Sequence, residues 1–460
     1  MFVGRKKECR FLEDNFKKEG SNLLVLYGHK GVGKTSLVFH FARKLSMHYY
    51  AARPCAEEEQ ILLWNREIKA AGGGLGTDAE YGGDGFDSIF GRIYDMSGDN
   101  EGKKLIVIDE FQNIIKYSET FMVSLLRFIK EAKGPVMVLL LSSSISFVEN
   151  DFVPRIGSLA LGISGFFKVP ELGFIDIVNY FSGKTTKECM EIYSILGGLP
   201  LYWSHFDKNA DLKENLIRNV LSPSCFLREE GGRLVSAELR ELNVYCTILS
   251  CMANGENKLN DLHIHTGYSR AKISVYIKNL MERELVEKVF PFDNASNTNA
   301  KKGLYRVSLR FLQFWFRFIF GNLSALESMD PYDFYEKYVE PGIAAFHQEN
   351  FRKVCSEYLD ILNENGMLPI KATKSGEWVG KEGSIDIVMQ DEEWESLLAF
   401  CSWDKEEVDT DDLDSYLKII ENARLHPDYV YVFAAGRFSE GLKKLAEENR
   451  NVRLVDIDTL

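Results

Sequence analysis

The sequence lacks the features that define several large classes of protein. Its eight cysteines form no C-x-x-C pair, so neither a disulfide framework nor a zinc site is predicted. The first ten residues are charged and contain no apolar signal core. The richest apolar run, Phe311 to Phe320, is too short to span a bilayer and carries Gln313 and Arg317. We therefore expect a cytoplasmic protein with reduced thiols and no membrane partner, in which this run is a buried or interface helix.

Positive charge is also scarce. The 460 residues contain 55 Lys and Arg against 68 Asp and Glu, which gives a formal net charge of -13. An acidic balance argues against a protein that coats nucleic acid over its whole surface, although it is compatible with one local basic patch. Hydrophobic residues at 45% and charged residues at 27% are typical of a soluble globular protein. The length predicts roughly three domains.

A glycine-rich loop after a buried strand is the strongest motif in the chain. Residues 23–27, LLVLY, form a continuous apolar run that is typical of a buried parallel strand. Gly28 to Thr35 then fits G-x-x-x-x-G-K-[ST] without gaps, and a helical pattern follows. Backbone N–H groups of such a loop bind phosphate oxygens, while Lys34 would reach the β- and γ-phosphates and Thr35 would hold magnesium. The predicted ATP-binding residues of this loop are Gly28, His29, Lys30, Gly31, Val32, Gly33, Lys34, Thr35 and Ser36.

Two further strands end in polar side chains. Residues 105–110, LIVIDE, are an apolar strand that ends in two carboxylates, although such a pair also occurs at solvated turns. Asp109 would bind Mg2+, directly or through water, and Glu110 would act as the general base toward water. After the strand at 136–141, Ser143 would sense the γ-phosphate, with a serine-rich turn as the alternative. Alternating buried strands and helices predict a parallel α/β sheet.

These motifs occur in a fixed order with several others. FVGR begins at Phe2, LIVIDEFQN covers 105–113, GGLPLY covers 197–202, and FLQFWFRF covers 311–318. In this order the chain resembles, over nearly its whole length, the prokaryotic P-loop ATPases of the AAA+/STAND group that carry a C-terminal restriction-nuclease-like domain of unknown function. The expected fold is multidomain α/β. Its expected parts are a P-loop ATPase core at 1–160, a helical lid at 161–235, a winged helix at 236–310, a helical connector at 311–340 and a degenerate nuclease-like domain at 341–460.

The resemblance implies further residue roles around the nucleotide. Val3 would border the adenine, and Pro200 in the Gly-Leu-Pro turn would close the nucleotide pocket. In relatives a Y-G-R segment follows the serine strand, whereas residues 154–158 here read PRIGS, so Ser158 occupies the arginine position. Either Arg155 replaces that γ-phosphate contact or the contact is absent. Such an arginine stabilises the charge of the transferring phosphoryl group, and its displacement puts fast hydrolysis in doubt.

Residues 258–310 are typical of a winged helix-turn-helix. A short helix at 258–265, a turn at 266–268, a recognition helix at 269–284 and wing strands at 286–290 and 303–307 are expected. Cations on such elements contact DNA phosphates, which makes double-stranded DNA a candidate partner. In the STAND group, by resemblance, this module instead packs and moves with the nucleotide state, so both interpretations stay open. The candidate cations are Arg270, Lys272, Lys278, Lys301 and Lys302.

The C-terminal section resembles a nuclease that has lost most of its catalytic residues. Asp386 supplies one acid, but Phe400 and Ser402 stand where relatives carry glutamate and lysine, and Arg352 stands where they carry a further glutamate. One carboxylate cannot readily hold a catalytic magnesium ion. Residues 391–414 also carry 11 acids and one lysine, which is a poor surface for a phosphate backbone. A partner-binding or scaffold domain is therefore expected.

The sequence as a whole predicts an ATP-dependent molecular switch with slow, Mg2+-dependent ATP hydrolysis. The alternative is an ATP-regulated DNA-binding protein acting in transcription or defence, and an active ATP-dependent nuclease has the least support. ATP and Mg2+ are the expected ligands, and a protein is a further candidate partner through the C-terminal section. The oligomeric state stays open.

Overall fold

The structure, a computed structural model, describes residues 2–72, 85–96, 102–292, 303–379 and 383–460. Most of the glycine-rich stretch between residues 70 and 85, predicted to be a surface loop, lies outside these ranges, as do Lys301 and Lys302. Among the described residues, no helix is both long and apolar enough to cross a membrane. The chain divides into two units, Met1–Leu172 with Leu199–Leu201, and Gly173–Gly198 with Tyr202–Leu460.

A five-stranded parallel sheet is the centre of the first unit, as the alternation of strands and helices predicted. Its order is β2-β3-β4-β1-β5. The strands are β1 (Asn22–Tyr27), β2 (Met47–Ala51), β3 (Lys104–Asp109), β4 (Val136–Ser142) and β5 (Gly165–Lys168). The helices are α1 (Lys6–Lys17), α2 (Lys34–Phe41), α3 (Glu57–Ala70), α4 (Phe86–Met96), α5 (Gln112–Ile115), α6 (Phe121–Glu131) and α7 (Val153–Ile156).

The three inner strands are buried on both faces. Leu23 and Val25 of β1 share one hydrophobic cluster with alternate residues of β3 and β4 and with side chains of α3, α4 and α6. The intervening residues, such as Leu24 and Leu26, are also almost fully buried. Helices that cover both faces of a parallel sheet produce such continuous apolar strands. The edge strands β2 and β5 escaped prediction because their sequences are half-exposed and polar in part.

The second unit begins with helices. Its early helices are α8 (Phe174–Tyr180), α9 (Thr186–Leu196), α10 (Pro200–Trp203, which starts in the first unit), α11 (Leu212–Leu216) and α12 (Glu230–Ser236). Next come α13 (Leu242–Ala253), α14 (Leu259–Thr266), α15 (Arg270–Met281) and the antiparallel strands β6 (Val286–Val289) and β7 (Leu304–Val307). Gly267, with a φ of 70°, ends α14, and the Ser269 hydroxyl caps α15. This is the predicted helix-turn-helix and hairpin order, and its assignment as a winged helix stays a prediction.

A mixed sheet forms the C-terminal part of the second unit. Its order is β14-β12-β10-β9-β8, in which β10, β12 and β14 are parallel and β8, β9 and β10 pair antiparallel. The strands of this C-terminal part, inside and outside that sheet, are β8 (Lys374–Val379), β9 (Ser384–Gln390), β10 (Ser396–Ser402), β11 (Glu407–Val408), β12 (Tyr429–Ala434), β13 (Arg437–Phe438) and β14 (Val452–Asp456). The helices between β7 and the C-terminus are α16 (Arg310–Phe314), α17 (Leu323–Ser328), α18 (Pro331–Phe334), α19 (Glu340–Glu364), α20 (Thr410–Asn422) and α21 (Glu440–Glu448).

The aromatic run 311–320 is buried, as its composition predicted. It forms α16 and then a π-helical segment, Trp315–Ile319. Eight of its ten residues are buried, and the indole of Trp315 donates a hydrogen bond to the carbonyl of Arg228 at 2.8 Å. The face of the same indole lies against Gly231 in α12. The helix is therefore held by aromatic packing within the second unit.

Substitution of Gly231 tests this packing. A Cβ atom at Gly231 would overlap the indole ring of Trp315, whereas one at Gly232 would lie 3.8 Å from it. We expect Gly231→Ala to lower the free energy of unfolding by about 1–3 kcal/mol because overpacking displaces the ring. Gly232→Ala, in the same helix, should be neutral or stabilising by up to roughly 1 kcal/mol. Chemical denaturation of both variants measures the difference, and equal stabilities would contradict the packing described.

Candidate nucleotide-binding site

The loop between β1 and α2 has a backbone that requires glycine at two points. A Cβ atom at Gly28 would lie 2.5 Å from the carbonyl oxygen of Val169. Gly31 has a φ of 85°, and a Cβ atom there would lie 3.0 Å from that of Leu201. Larger residues would push the loop open at both places. A glycine-rich loop that leads into a helix N-terminus can bind phosphate through backbone N–H groups.

The ammonium group of Lys34 closes the loop from inside. Its Nζ donates hydrogen bonds to the carbonyl oxygens of Gly28 at 2.8 Å and His29 at 3.1 Å. Burial lowers the pKa of Lys34, and the carboxylates of Glu110 and Asp109 oppose that shift. Burial, followed by the charges of Lys34 and Lys168, lowers the pKa of His29 to about 4, so His29 is neutral at pH 7. A bound phosphate would stabilise the charged form of Lys34 because the group is buried beside the loop.

Thr35 and Asp109 lie in direct contact beside the phosphate loop. The Thr35 hydroxyl donates to Oδ2 of Asp109 at 2.7 Å, and the hydroxyl of Tyr49 donates to the same oxygen at 2.8 Å. Burial and then the charge of Asp109 raise the pKa of Tyr49, so its hydroxyl stays protonated and a donor. A hydroxyl and a carboxylate beside a phosphate loop are the protein ligands that Mg2+ takes together with substrate phosphates and water. These residues fit Mg2+ bound with a nucleoside triphosphate.

Glu110 is held by donors from two elements. It has a left-handed backbone, with a φ of 53°, directly after β3. Its Oε2 accepts hydrogen bonds from the backbone N–H of Ser143 at 3.2 Å, from the Ser143 hydroxyl at 2.7 Å, and from the side-chain amide of Gln112. The two residues predicted to act on the γ-phosphate and on water thus lie in direct contact at the ends of neighbouring strands.

The turn 199–201 lies against the phosphate loop within the first unit. The backbone N–H of Leu201 donates to the carbonyl of Gly31 at 3.2 Å, and the ring of Pro200 lies 3.9 Å from the Cβ position of Gly33. Near the N-terminus, the buried Arg5 donates to the carbonyl of Val32 at 2.8 Å. The phosphate loop is therefore hydrogen-bonded both to the N-terminal segment and to the turn 199–201, the two segments that the sequence linked to the nucleotide.

The remaining predicted residues make none of the contacts described above. Val3 is half-buried, whereas Lys30 and Ser36 are exposed. Arg155 is exposed and donates to the carbonyl of Lys116 at 2.8 Å, so its predicted contact with the γ-phosphate stays a prediction. Sequence reasoning assigned no role at the site to four residues that hold it, although three of them lie in the quoted segments FVGR, LIVIDEFQN and GGLPLY, because their hydrogen bonds form only in the folded chain. These are Arg5, Tyr49, Gln112 and Leu201.

The acid predicted in the C-terminal section is paired with an arginine. Asp386 accepts from Nε of Arg352 at 2.8 Å and from the backbone N–H of Cys401 at 2.9 Å. Burial raises the pKa of Asp386, while Arg352 opposes the shift. Phe400 stacks on Tyr416 with ring centroids 4.1 Å apart. In the described ranges, no group of three or more His, Cys, Asp or Glu side chains is placed to hold a metal ion.

Comparisons with known proteins give similar sequences and a similar fold. Residues 2–206 match the family of ATPase domains found predominantly in Archaea, and residues 315–413 match a family of archaeal and bacterial proteins of unknown function. An uncharacterized protein of Methanocaldococcus jannaschii is 27% identical over 473 residues, covering 100% of this chain and 99% of its own. An uncharacterized ATP-binding protein of the same organism is 49% identical over 41 residues, 9% of this chain and 70% of that one. The solved structure of a Walker-type ATPase of Pyrococcus abyssi shares the fold, with a TM-score of 0.51, 17% identity, and coverage of 69% of this chain and 96% of that chain.

Removal of the Tyr49 hydroxyl tests how Asp109 is positioned. We expect Tyr49→Phe to weaken Mg2+-dependent ATP binding about tenfold or more, because a hydrogen bond to a charged group contributes about 1.5–3 kcal/mol. The neighbouring Tyr50→Phe is the matched control, since the Tyr50 hydroxyl bonds to Gln60 instead. Titration of Mg2+ at fixed ATP measures both effects, and identical affinities in the two variants would exclude this role of Tyr49.

Proposed function

Because residues 2–206 match an ATPase domain family found predominantly in Archaea, the N-terminal section is a nucleotide-dependent ATPase domain, and we propose that it serves as a slow molecular switch. The contact of Leu201 with Gly31 carries this proposal. The turn 199–201 belongs to the first unit, while the residues on both sides of it belong to the second. A phosphate group that displaces the loop backbone by a fraction of an ångström would therefore move the chain that leads into the second unit.

The chemistry assigned to the site follows from its donor set. Backbone N–H groups of the loop and Lys34 would bind the β- and γ-phosphates, and Thr35 and Asp109 would hold Mg2+. The metal ion would neutralise charge that develops on the phosphate oxygens. Glu110 would orient and deprotonate the attacking water, and Ser143 would register the γ-phosphate through the hydrogen bonds that it now makes to Glu110.

The restraint on Glu110 supports slow hydrolysis. Oε2 of Glu110 already accepts three hydrogen bonds, so only the other oxygen is available to water unless these bonds break. Arg155 bonds to the Lys116 carbonyl, and Ser158 occupies the position where relatives carry arginine. Both features would lower the rate of the chemical step without weakening the binding of ATP.

Lys34→Ala tests whether the loop binds ATP at all. We expect at least a tenfold loss of ATP affinity, because a charge-assisted hydrogen bond to phosphate contributes about 1.5–3 kcal/mol. Lys130→Ala is the matched control, since Lys130 is an exposed lysine of α6 outside the loop. Equilibrium binding of a fluorescent ATP analogue measures both variants. A wild-type chain that binds no ATP, or a Lys34→Ala variant that binds and hydrolyses ATP normally, would reject the proposed function.

Gln112→Ala tests the restraint on the general base. Loss of the amide donor removes one of the three hydrogen bonds on Oε2 of Glu110, so we expect kcat for ATP hydrolysis to rise severalfold, up to about tenfold for about 1.4 kcal/mol. The Kd for ATP should stay unchanged, because Gln112 does not touch the phosphate loop in the described contacts. Steady-state phosphate release and ATP binding measure the two quantities. A fall in kcat would show that Gln112 positions Glu110 for catalysis.

The DNA-binding alternative rests on the exposed cations of α15. Arg270, Lys272 and Lys278 are all solvent-exposed, as phosphate contact requires. However, Lys278 lies 3.8 Å from Glu282, and the Lys272 ammonium lies 4.5 Å from the ring centroid of Tyr268. These partners reduce the positive potential of the helix. The switch is therefore the better supported of the two proposals.

For the C-terminal section we propose a binding or scaffold role without DNA cleavage. The guanidinium of Arg352 lies 2.8 Å from Asp386, where a metal ion would need a second carboxylate. A positive charge at that distance disfavours a divalent cation. With DNA cleavage disfavoured, we expect the acidic surface of this section to bind a protein partner.

A further inference from the structure

A polar cleft within the second unit has no role in the switch proposed above. It has a volume of about 350 Å³ and is lined by the end of α13, by Arg306 of β7, by α16 with its π-helical extension, and by one face of α19. The α19 face consists of Ala345, Gln348, Glu349 and Arg352, at the three- and four-residue spacing that brings side chains to one side of a helix. A cleft of this size accommodates a small metabolite.

Three arginines from three different elements line this cleft. Nη2 of Arg306 bonds to both carboxylate oxygens of Glu377 at 2.6 and 2.7 Å. Nη1 of Arg317 lies 3.5 Å from Glu349, and Nε of Arg352 lies 2.8 Å from Asp386. A guanidinium group has five N–H donors, and each of these ion pairs occupies one nitrogen. Each arginine therefore keeps donors for an additional oxygen while its position is fixed by its carboxylate partner.

A buried acceptor in the same wall lacks a donor. Gln313 is 5% exposed, and its Nε2 donates to Glu349 at 2.7 Å. Its Oε1 has no hydrogen-bond partner among the described residues. A buried amide oxygen without a donor costs about 1–3 kcal/mol. A ligand that carries an O–H or N–H group beside its anionic group would satisfy this oxygen.

Three guanidinium groups that approach from separate elements suit a group with three terminal oxygens and two charges better than a planar carboxylate with two oxygens.

We propose that this cleft binds a small phosphomonoester that also carries a hydroxyl group. Arg306, Arg317 and Arg352 donate to the phosphate oxygens, and Gln313 accepts from the hydroxyl. Because the walls come from the hairpin strand β7, from the aromatic helix and from α19, the ligand would stabilise the packing of these elements. This site is separate from the phosphate loop and is independent of the function proposed for it.

Glycerol 3-phosphate is the probe, tested on the full chain with Lys34→Ala so that the phosphate loop does not contribute. We expect saturable binding by isothermal titration calorimetry and a rise in the thermal unfolding midpoint. Glycerol should not bind, and inorganic phosphate should bind at least fivefold more weakly, since it lacks the alcohol that reaches Gln313. Arg317→Ala and Arg352→Ala, each added to Lys34→Ala, should weaken binding tenfold or more. Arg450→Ala, which removes an exposed arginine elsewhere in the unit, should not change it.

Lysine substitutions keep the test decisive if an alanine variant does not fold. Arg317→Lys and Arg352→Lys retain the charge and lose the paired N–H donors, so affinity should fall at least threefold in chains that melt like the parent. No binding of glycerol 3-phosphate by the Lys34→Ala chain would overturn the proposal. So would equal losses in the Arg450→Ala and Arg317→Ala variants. Tighter binding of citrate than of glycerol 3-phosphate would overturn the phosphate assignment. Binding of duplex DNA that depends on these arginines and is tighter than that of glycerol 3-phosphate would overturn the small ligand and indicate nucleic acid instead.

Discussion

The hydrogen bonds accepted by the carboxylate of Asp109 are the interactions on which the nucleotide site depends. Its two oxygens accept hydrogen bonds from Thr35 at the start of α2, from Tyr49 in β2, and from the backbone of Glu110 after β3. Three elements of the first unit are thereby fixed to one side chain. Their relative position sets the distance between the phosphate loop and Glu110, and active-site geometry is sensitive to displacements of about 1 Å.

The sequence located the segments that form the centre of this site because its motifs are local in the chain. The loop at 28–36 and the strand that ends at Asp109 are contiguous motifs, and burial on both faces makes their strands continuous apolar runs. The strand β2 gives no such signal, since MHYYA is half-exposed at the sheet edge, and Tyr49 was missed with it. Gln112 lies in a predicted segment, but which oxygen it contacts depends on the left-handed turn at Glu110.

In the C-terminal section, resemblance and not an intact motif pointed to the residues of interest. Its sequence identified the acid Asp386 and the substitution at Arg352 through resemblance, and the structure brings the two side chains into an ion pair. The sequence predicts strands at 385–389, 397–401, 429–434 and 452–457, and β9, β10, β12 and β14 follow them closely. Strand β8 is not predicted, because KSGEWV is exposed in part. No motif indicated the polar cleft, since its lining residues are spread over residues 252–352 and meet only through tertiary packing.

Because the turn 199–201 belongs to the first unit, that unit is built from two separate segments of the chain. A fragment that ended at residue 172 would retain the sheet, the phosphate loop and both acids, yet it would lack the residues that cover Gly31 and Gly33. The chain passes between the units at 172–173, at 198–199 and again at 201–202. A single break in the chain therefore cannot separate the residues of the two units. A fragment that includes the turn and the first 172 residues must also carry residues 173–198, which belong to the second unit.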